Sequence, residues 1–96
     1  EPMEPANQRA LVPFLRRFRA RYGDTKTLWV YTGCVLDTAT FRLSPPSFNT
    51  EVSREFLALT DVLVDGPFIE AQKDISLRFR GSSNQRILDL RRLSHA

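Results

Sequence analysis

The sequence predicts an α/β domain with parallel strands, and three observations carry that expectation. Residues 6–22 and 50–60 repeat apolar side chains at helical spacing. Each stretch is followed by a short apolar run, residues 27–31 and 61–65, and each run is closed by a glycine, Gly33 or Gly66. The order helix, strand, helix, strand marks crossover units in a parallel sheet.

In the first helix Leu11, Phe14, Leu15, Phe18 and Tyr22 form one apolar face, with arginines opposite. An interior proline removes a backbone hydrogen bond at a cost of about 3 kcal/mol. Because of Pro13, the helix is expected either to begin near Val12 or to carry a kink, and Gly23 supplies its left-handed stop. Residues 27–31 are β-branched and aromatic without alternation, as in a strand covered on both faces. Residues 34–48, with weak periodicity and Pro45-Pro46, read as a loop with room for one helical turn. Asn49 and Thr50 are capping residues for a helix over 50–60, and residues 61–65 form a second buried strand that Gly66-Pro67 breaks. Residues 75–80 alternate Ile75, Leu77 and Phe79 with Ser76, Arg78 and Arg80, which predicts an extended segment with one apolar face. The tail over 85–93 fits a short strand or a single helical segment, the strand slightly favoured.

The 96 residues fit one domain, which at this size buries roughly 60–65% of its unfolded surface. The apolar content of 42% lies in the globular range, and no run approaches the ~20 apolar residues that a bilayer crossing needs. A net charge of +3, with acids interspersed from Asp24 to Asp89, is too mild for a dedicated nucleic-acid surface. The runs Arg16-Arg17-x-Arg19-x-Arg21 and Arg91-Arg92 read as solvated faces. One cysteine, Cys34, excludes an internal disulfide, and His95 stands beside the end of the chain, so neither a zinc site nor a Ser/His/Asp triad is expected. With no basic-then-apolar leader, a cytoplasmic location is the default. The chain starts at Glu1 rather than Met and is expected to be part of a longer polypeptide.

Ligands of parallel α/β sheets bind outside the carboxyl ends of the strands. That rule selects Tyr31-Thr32-Gly33 and Asp65-Gly66-Pro67. Asp65 closes an apolar run, so its carboxylate is placed either to accept hydrogen bonds from a ligand at the sheet rim or to cap the Gly66-Pro67 turn, and periodicity does not choose between them. The stretch from Arg80 to Arg86 sets Gly81, Ser82, Ser83, Asn84 and Gln85 between two guanidinium groups suited to carboxylate or phosphate. It lacks the Walker pattern and also reads as an ordinary surface turn.

Four segments, "EPMEPAN" at 1–7, "LWVYTG" at 28–33, "DVLVDGPFI" at 61–69 and "KDISLRFRGSSNQRI" at 73–87, resemble in order and interval the C-terminal half of the anaerobic ribonucleoside-triphosphate reductase activating proteins. These are small radical S-adenosylmethionine (SAM) enzymes related to the pyruvate formate-lyase activating enzyme. The resemblance implies part of a (βα)6 barrel whose N-terminal portion holds a 4Fe–4S cluster on a CxxxCxxC motif. It also implies SAM as cofactor, a glycyl radical enzyme as partner (anaerobic ribonucleotide reductase or pyruvate formate-lyase type), and an electron donor such as flavodoxin. Neither a membrane nor nucleic acid is an expected partner. CxxxCxxC is absent here and Cys34 is not at a ligand position, so the chain is expected to be a C-terminal fragment without the cluster-binding part, inactive alone.

Carried over by position, Glu1-Pro2 matches the end of the family's GGEP motif, which helps bind the SAM amino group. Tyr31, Thr32 and Gly33 match a rim segment, Asp65 matches a SAM-contacting or rim carboxylate, and Ser82, Ser83 and Asn84 match a signature loop implied to contact SAM or the partner. Arg80 and Arg86 are expected to serve that same loop. The competing expectation is a noncatalytic module of the same descent that binds a protein or nucleic acid.

Overall fold

The computed structural model describes residues 1–94, so the reading of His95 lies outside the described residues. Helix α1 (Pro5–Tyr22) leads to strand β1 (Trp29–Tyr31), and a hairpin of β2 (Val35–Asp37) and β3 (Arg42–Ser44) follows. After a 3-10 turn at Pro46–Phe48 come helix α2 (Ser53–Ala58), strand β4 (Val62–Asp65), a second 3-10 turn at Glu70–Gln72, strand β5 (Arg86–Asp89) and helix α3 (Leu90–Ser94). The main sheet has the order β1-β4-β5. β1 and β4 are parallel, Val30 opposite Leu63, whereas β5 runs antiparallel to β4, Leu88 opposite Leu63 and Arg86 opposite Asp65. The sheet is therefore mixed, and the parallel expectation describes its first pair.

Helix α1 opens on Pro5, where the missing N–H costs nothing, and runs through Pro13. It does not begin near Val12. Pro13 is exposed, so the carbonyl its ring leaves without a partner can turn to water. Gly23, at φ 52°, ends the helix and donates its N–H to the Arg19 carbonyl at 2.8 Å. The buried stripe is Gln8, Val12 and Leu15, and Phe14 is left half exposed. The inward face is thus rotated from the apolar one read in the sequence, because one of its positions, Gln8, is polar. Gln8 donates to the carbonyls of Met3 and Phe48, each at 2.7 Å, and accepts from Ser53 Oγ at 2.6 Å and Thr50 Oγ1 at 3.1 Å. A fully satisfied buried amide costs little and fixes one geometry.

Three other expectations are corrected. Residues 34–48 are a hairpin rather than a loop, and Cys34, Leu36 and Leu43 belong to the core with Met3, Leu15, Val30, Phe56 and Leu63. Asn49 does not cap α2: its side chain accepts from the Leu43 amide and donates to the Leu43 carbonyl, both at 2.8 Å, which pins the hairpin. Residues 75–80 form turns rather than an extended segment, since the Asp74 carboxylate captures the Ser76 amide at 2.9 Å. The tail combines both readings, a strand to Asp89 and a helix from Leu90. In β1 only Val30 is buried, with Trp29 and Tyr31 exposed on the opposite face.

The basic run of α1 is not wholly solvated. Arg19 pairs with Asp61, donates from Nε to the Leu59 carbonyl at 3.1 Å and from Nη1 to the Gly23 carbonyl at 3.1 Å. The second oxygen of Asp61 meets Arg91, and the Leu28 amide donates to the carboxylate at 2.6 Å. Burial pushes the Asp61 carboxyl up, but Arg19, the Leu28 amide and Arg91 outweigh it and hold it below its usual value of 3.8. A carboxylate with a lowered folded pKa contributes its full stability above the unfolded value and loses it as pH falls through the folded one. Arg19→Met should therefore lower the unfolding free energy by about 1.5–3 kcal/mol near neutral pH, because it takes a charged hydrogen-bond partner from a buried carboxylate that keeps only Arg91 and the Leu28 amide. In urea titrations this deficit should shrink below pH 3.8, while Arg17→Met on the exposed face should change stability by under about 0.5 kcal/mol.

Candidate functional site

The two parallel strands end side by side, and the Thr32 amide extends their ladder to the Val64 carbonyl at 2.9 Å. One step further the Gly66 amide donates to the Cys34 carbonyl at 2.7 Å, which binds the turn after β4 to the chain after β1. The carboxylate of Glu1 closes over this rim. Its Oε1 accepts from the Gly33 amide at 2.7 Å, and its Oε2 accepts from the Thr32 hydroxyl at 2.7 Å and the Met3 amide at 2.8 Å. Fully buried Met3 anchors the segment. Burial alone would raise the Glu1 carboxyl, but the hydrogen bonds from Gly33, Met3 and Thr32 prevail and hold it below 4.5. The structure thus brings Glu1, Thr32 and Gly33 together, with half-buried Pro2 between Glu1 and its anchor. Tyr31 is about half exposed, and strand alternation sets it on the open face of the sheet.

Asp65 is completely buried. Its Oδ1 accepts from Arg86 Nε at 2.9 Å, and its Oδ2 accepts from Arg86 Nη2 at 2.5 Å and the Leu36 amide at 2.7 Å. Arg86 Nη2 also donates to the Leu36 carbonyl at 2.7 Å, and the carboxylate keeps the guanidinium pKa raised. The carboxylate faces inward and fastens the hairpin to β4 and β5. It is not the cap of the following turn, whose Gly66 amide goes to Cys34. Gly66 itself sits at φ 105°, where an L side chain is strained, and a Cβ there would lie 3.6 Å from Gln85 Cα.

The loop after Arg80 is stitched to that turn. Asn84 Nδ2 donates to the Pro67 carbonyl at 2.8 Å, Gln85 Nε2 to the Gly66 carbonyl at 3.0 Å, and buried Ser82 donates its hydroxyl to Asn84 Oδ1 at 2.6 Å. Ser83 faces the other way, its amide on the Gln72 carbonyl at 2.9 Å. Arg80 Nη1 donates to the Gln85 carbonyl at 3.0 Å, and its buried Nε has no partner among the described residues. Gln85, which the sequence reading named within that stretch without assigning it a role, accepts at Oε1 from the Gly81 amide at 2.9 Å and the Ser82 amide at 3.2 Å. A glutamine beside Gly-Ser-Ser-Asn was the only available signal. Glu1, Thr32 and Gly33 therefore meet at one rim beside which Asp65, Ser82 and Asn84 serve as internal fasteners, whereas Tyr31 and Ser83 are directed elsewhere. Gly33 and Pro67 are exposed at this edge.

A separate cavity of about 980 Å³ lies between the hairpin tip, α2 and α3, lined by Phe41, Arg54, Leu57, Leu90 and their neighbours. None of the sequence-predicted site residues lines it. Its walls offer two arginines and no carboxylate, but Arg91 is already engaged with Asp61 and Asp24.

The residues here do not fit an iron–sulfur cluster. Such a cluster is held by several thiolates, and the one cysteine, Cys34, is buried, with burial pushing its thiol pKa up. Among the described residues no group of three His, Cys, Asp or Glu side chains could hold a metal ion.

Residues 1–88 match the family model described as a 4Fe-4S single cluster domain. The anaerobic ribonucleoside-triphosphate reductase-activating protein of Haemophilus influenzae is 39% identical over 85 residues, which make up 88% of this chain and 48% of that protein. The protein of that name from Pasteurella multocida is 38% identical over 85 residues, with 88% and 48% covered. That of Escherichia coli K12 is 35% identical over 91 residues, with 95% and 52% covered. The chain thus spans about half the length of the curated relatives it matches. No solved structure matches it.

A titration of the Glu1 side-chain carboxyl carbon by NMR should give a midpoint below 4.5. A midpoint at or above that value would show that the carboxylate does not hold Thr32 and Gly33 in solution.

Proposed function

The chain belongs to the 4Fe-4S single cluster domain family, and from that premise we propose that it is the SAM-supporting part of a glycyl-radical-enzyme activase. The whole protein would use S-adenosylmethionine and a 4Fe–4S cluster to generate a glycyl radical on an anaerobic ribonucleotide reductase or a related enzyme, with an electron donor such as flavodoxin. The cluster's thiolates are not in this chain, and its residues are given no step of that chemistry. Their part is to shape one wall of the cofactor pocket.

The observation that carries this reading is the convergence of Glu1, Thr32 and Gly33 at the carboxyl ends of β1 and β4, beside Gly66-Pro67. Strand ends are where parallel sheets offer backbone and small polar groups to a ligand. The parallel β1–β4 pair, with helices packed over Val30 and Leu63, supports a place in a partial (βα)6 barrel. Asp65 and Arg86 act here as positioning residues: by holding Leu36 and the start of β5, they hold the rim itself. A cytoplasmic setting is part of the proposal, and among the described residues no helix is long and apolar enough to cross a membrane.

The lone buried cysteine favours a second reading, a noncatalytic protein- or nucleic-acid-binding module of the same descent. Codons upstream of Glu1 separate the two, since a CxxxCxxC followed by a Gly-Gly pair supports the activase.

The protein encoded by the complete gene, reconstituted anaerobically with iron and sulfide and then reduced, should release 5′-deoxyadenosine from SAM. Glu1→Ala should lower that release about 10-fold with iron content unchanged, as loss of a supporting contact does at cofactor sites. No 5′-deoxyadenosine despite an intact cluster would overturn the activase reading, and parallel loss of iron and activity would make Glu1 a folding residue.

A further inference from the structure

Residues 73–82 leave the body of the domain as a loop closed at its base. Lys73 and Ser82 form an antiparallel bridge, and the Asp74 amide donates to the Gly81 carbonyl at 3.3 Å. Within the loop, Asp74 Oδ1 accepts from the Ser76 amide at 2.9 Å and the Ser76 hydroxyl at 2.6 Å, while the Leu77 amide reaches the Asp74 carbonyl at 3.2 Å. These bonds, those of the Ser76 side chain first, hold the Asp74 carboxyl below its usual range. The loop's one acid is thus turned to internal use.

Ile75, Arg78 and Phe79 are exposed, whereas Leu77 and Arg80 are partly covered and Ser82 is buried. Ile75 is 94% exposed. Phe79 is held at φ 68°, an unusual conformation for an aromatic residue, by packing its ring on Trp29 at 5.0 Å between centroids. The Arg78 guanidinium lies over the Phe79 ring at 5.1 Å and is exposed, and Lys73 has only a 4.0 Å approach to Glu70. A β-branched apolar side chain at the apex, cations beside it and a carboxylate folded inward are the chemistry of a hot spot with a polar rim.

We infer that the loop over residues 73–80 docks onto an acidic protein surface, with Ile75 entering an apolar depression and Arg78 and Lys73 meeting carboxylates around it. An apolar apex gains nothing against a phosphodiester backbone, which favours protein over nucleic acid. This rests on the activase reading and names the contact with its partner: the surface belongs to the anaerobic ribonucleotide reductase.

The test uses the full-length protein and the reductase from the same genome, with affinity measured by calorimetry. Ile75→Asp and Arg78→Glu should each weaken binding by about 10-fold or more, while Arg17→Glu, an equal change of charge on exposed α1, leaves affinity unchanged. Both loop variants should keep the wild-type thermal unfolding curve and the wild-type yield of 5′-deoxyadenosine without reductase. Unchanged affinity of the loop variants, an equal loss in Arg17→Glu, absence of any reductase binding, or Ile75-dependent binding to phosphatidylserine vesicles instead would each overturn the docking assignment. Its failure with SAM cleavage intact leaves the activase reading standing, and failure of cleavage with Ile75-dependent reductase binding retained does the reverse.

Discussion

The ion pair between Asp65 and Arg86 is the contact on which the rest of the rim depends. The carboxylate is wholly buried, so it must be paired, and the two parallel bonds from one guanidinium supply that pairing with fixed direction. The same two side chains take the Leu36 amide and carbonyl, so the hairpin, β4 and β5 meet at a single charge pair. A lysine could not make these contacts together, since it lacks the planar fork. Because Arg86 is fixed, the five residues before it are held back over Gly66-Pro67, where Asn84 and Gln85 complete the stitching.

A buried carboxylate stands at each end of the apolar run of β4. Asp61 precedes the strand and is clamped by Arg19 and Arg91, and Asp65 closes it and is clamped by Arg86. Between them Leu63 and Val64 have no exposure at all. Apolar burial sets the strand's depth, and the two charges set its register, because a slip of one residue would leave both carboxylates unpaired in the interior. The arginines come from α1, α3 and β5, so the electrostatic requirement of one short strand recruits elements far apart in sequence.

That arrangement explains what could be read from the sequence. The helix over 6–22 and the strands over 27–31 and 61–65 were legible because their apolar spacing is local. The inward face of α1 was not, since Gln8 is buried and Arg19 partly so, and only their distant partners, Ser53 and Asp61, make those positions tolerable. The hairpin over 35–44 was hidden because each strand is three residues long and is pinned by the Asn49 side chain rather than by its own pattern. The strand-end rule picked out Thr32, Gly33 and Gly66-Pro67, which lie side by side in the fold. The inward role of Asp65 depended on Arg86, whose approach no local pattern announces. At 75–80 alternation pointed to an extended segment, but the turn chemistry of Asp74 and Ser76 prevailed.

The functional picture separates fasteners from open surface. Glu1, Asp65, Ser82, Asn84 and Gln85 use their polar groups on neighbouring side chains and on the backbone, while Gly33 and Pro67 stay exposed, and in the proposed function that exposed edge is what a ligand would meet. Whether Asp65 and Arg86 hold that rim is tested most directly by amide hydrogen exchange in Arg86→Met against the unchanged protein. Selective loss of protection at Leu36, Gly66 and Ser82, with Leu63 still protected, is the expected result. Protection at Leu36 and Gly66 that survives the substitution would contradict it.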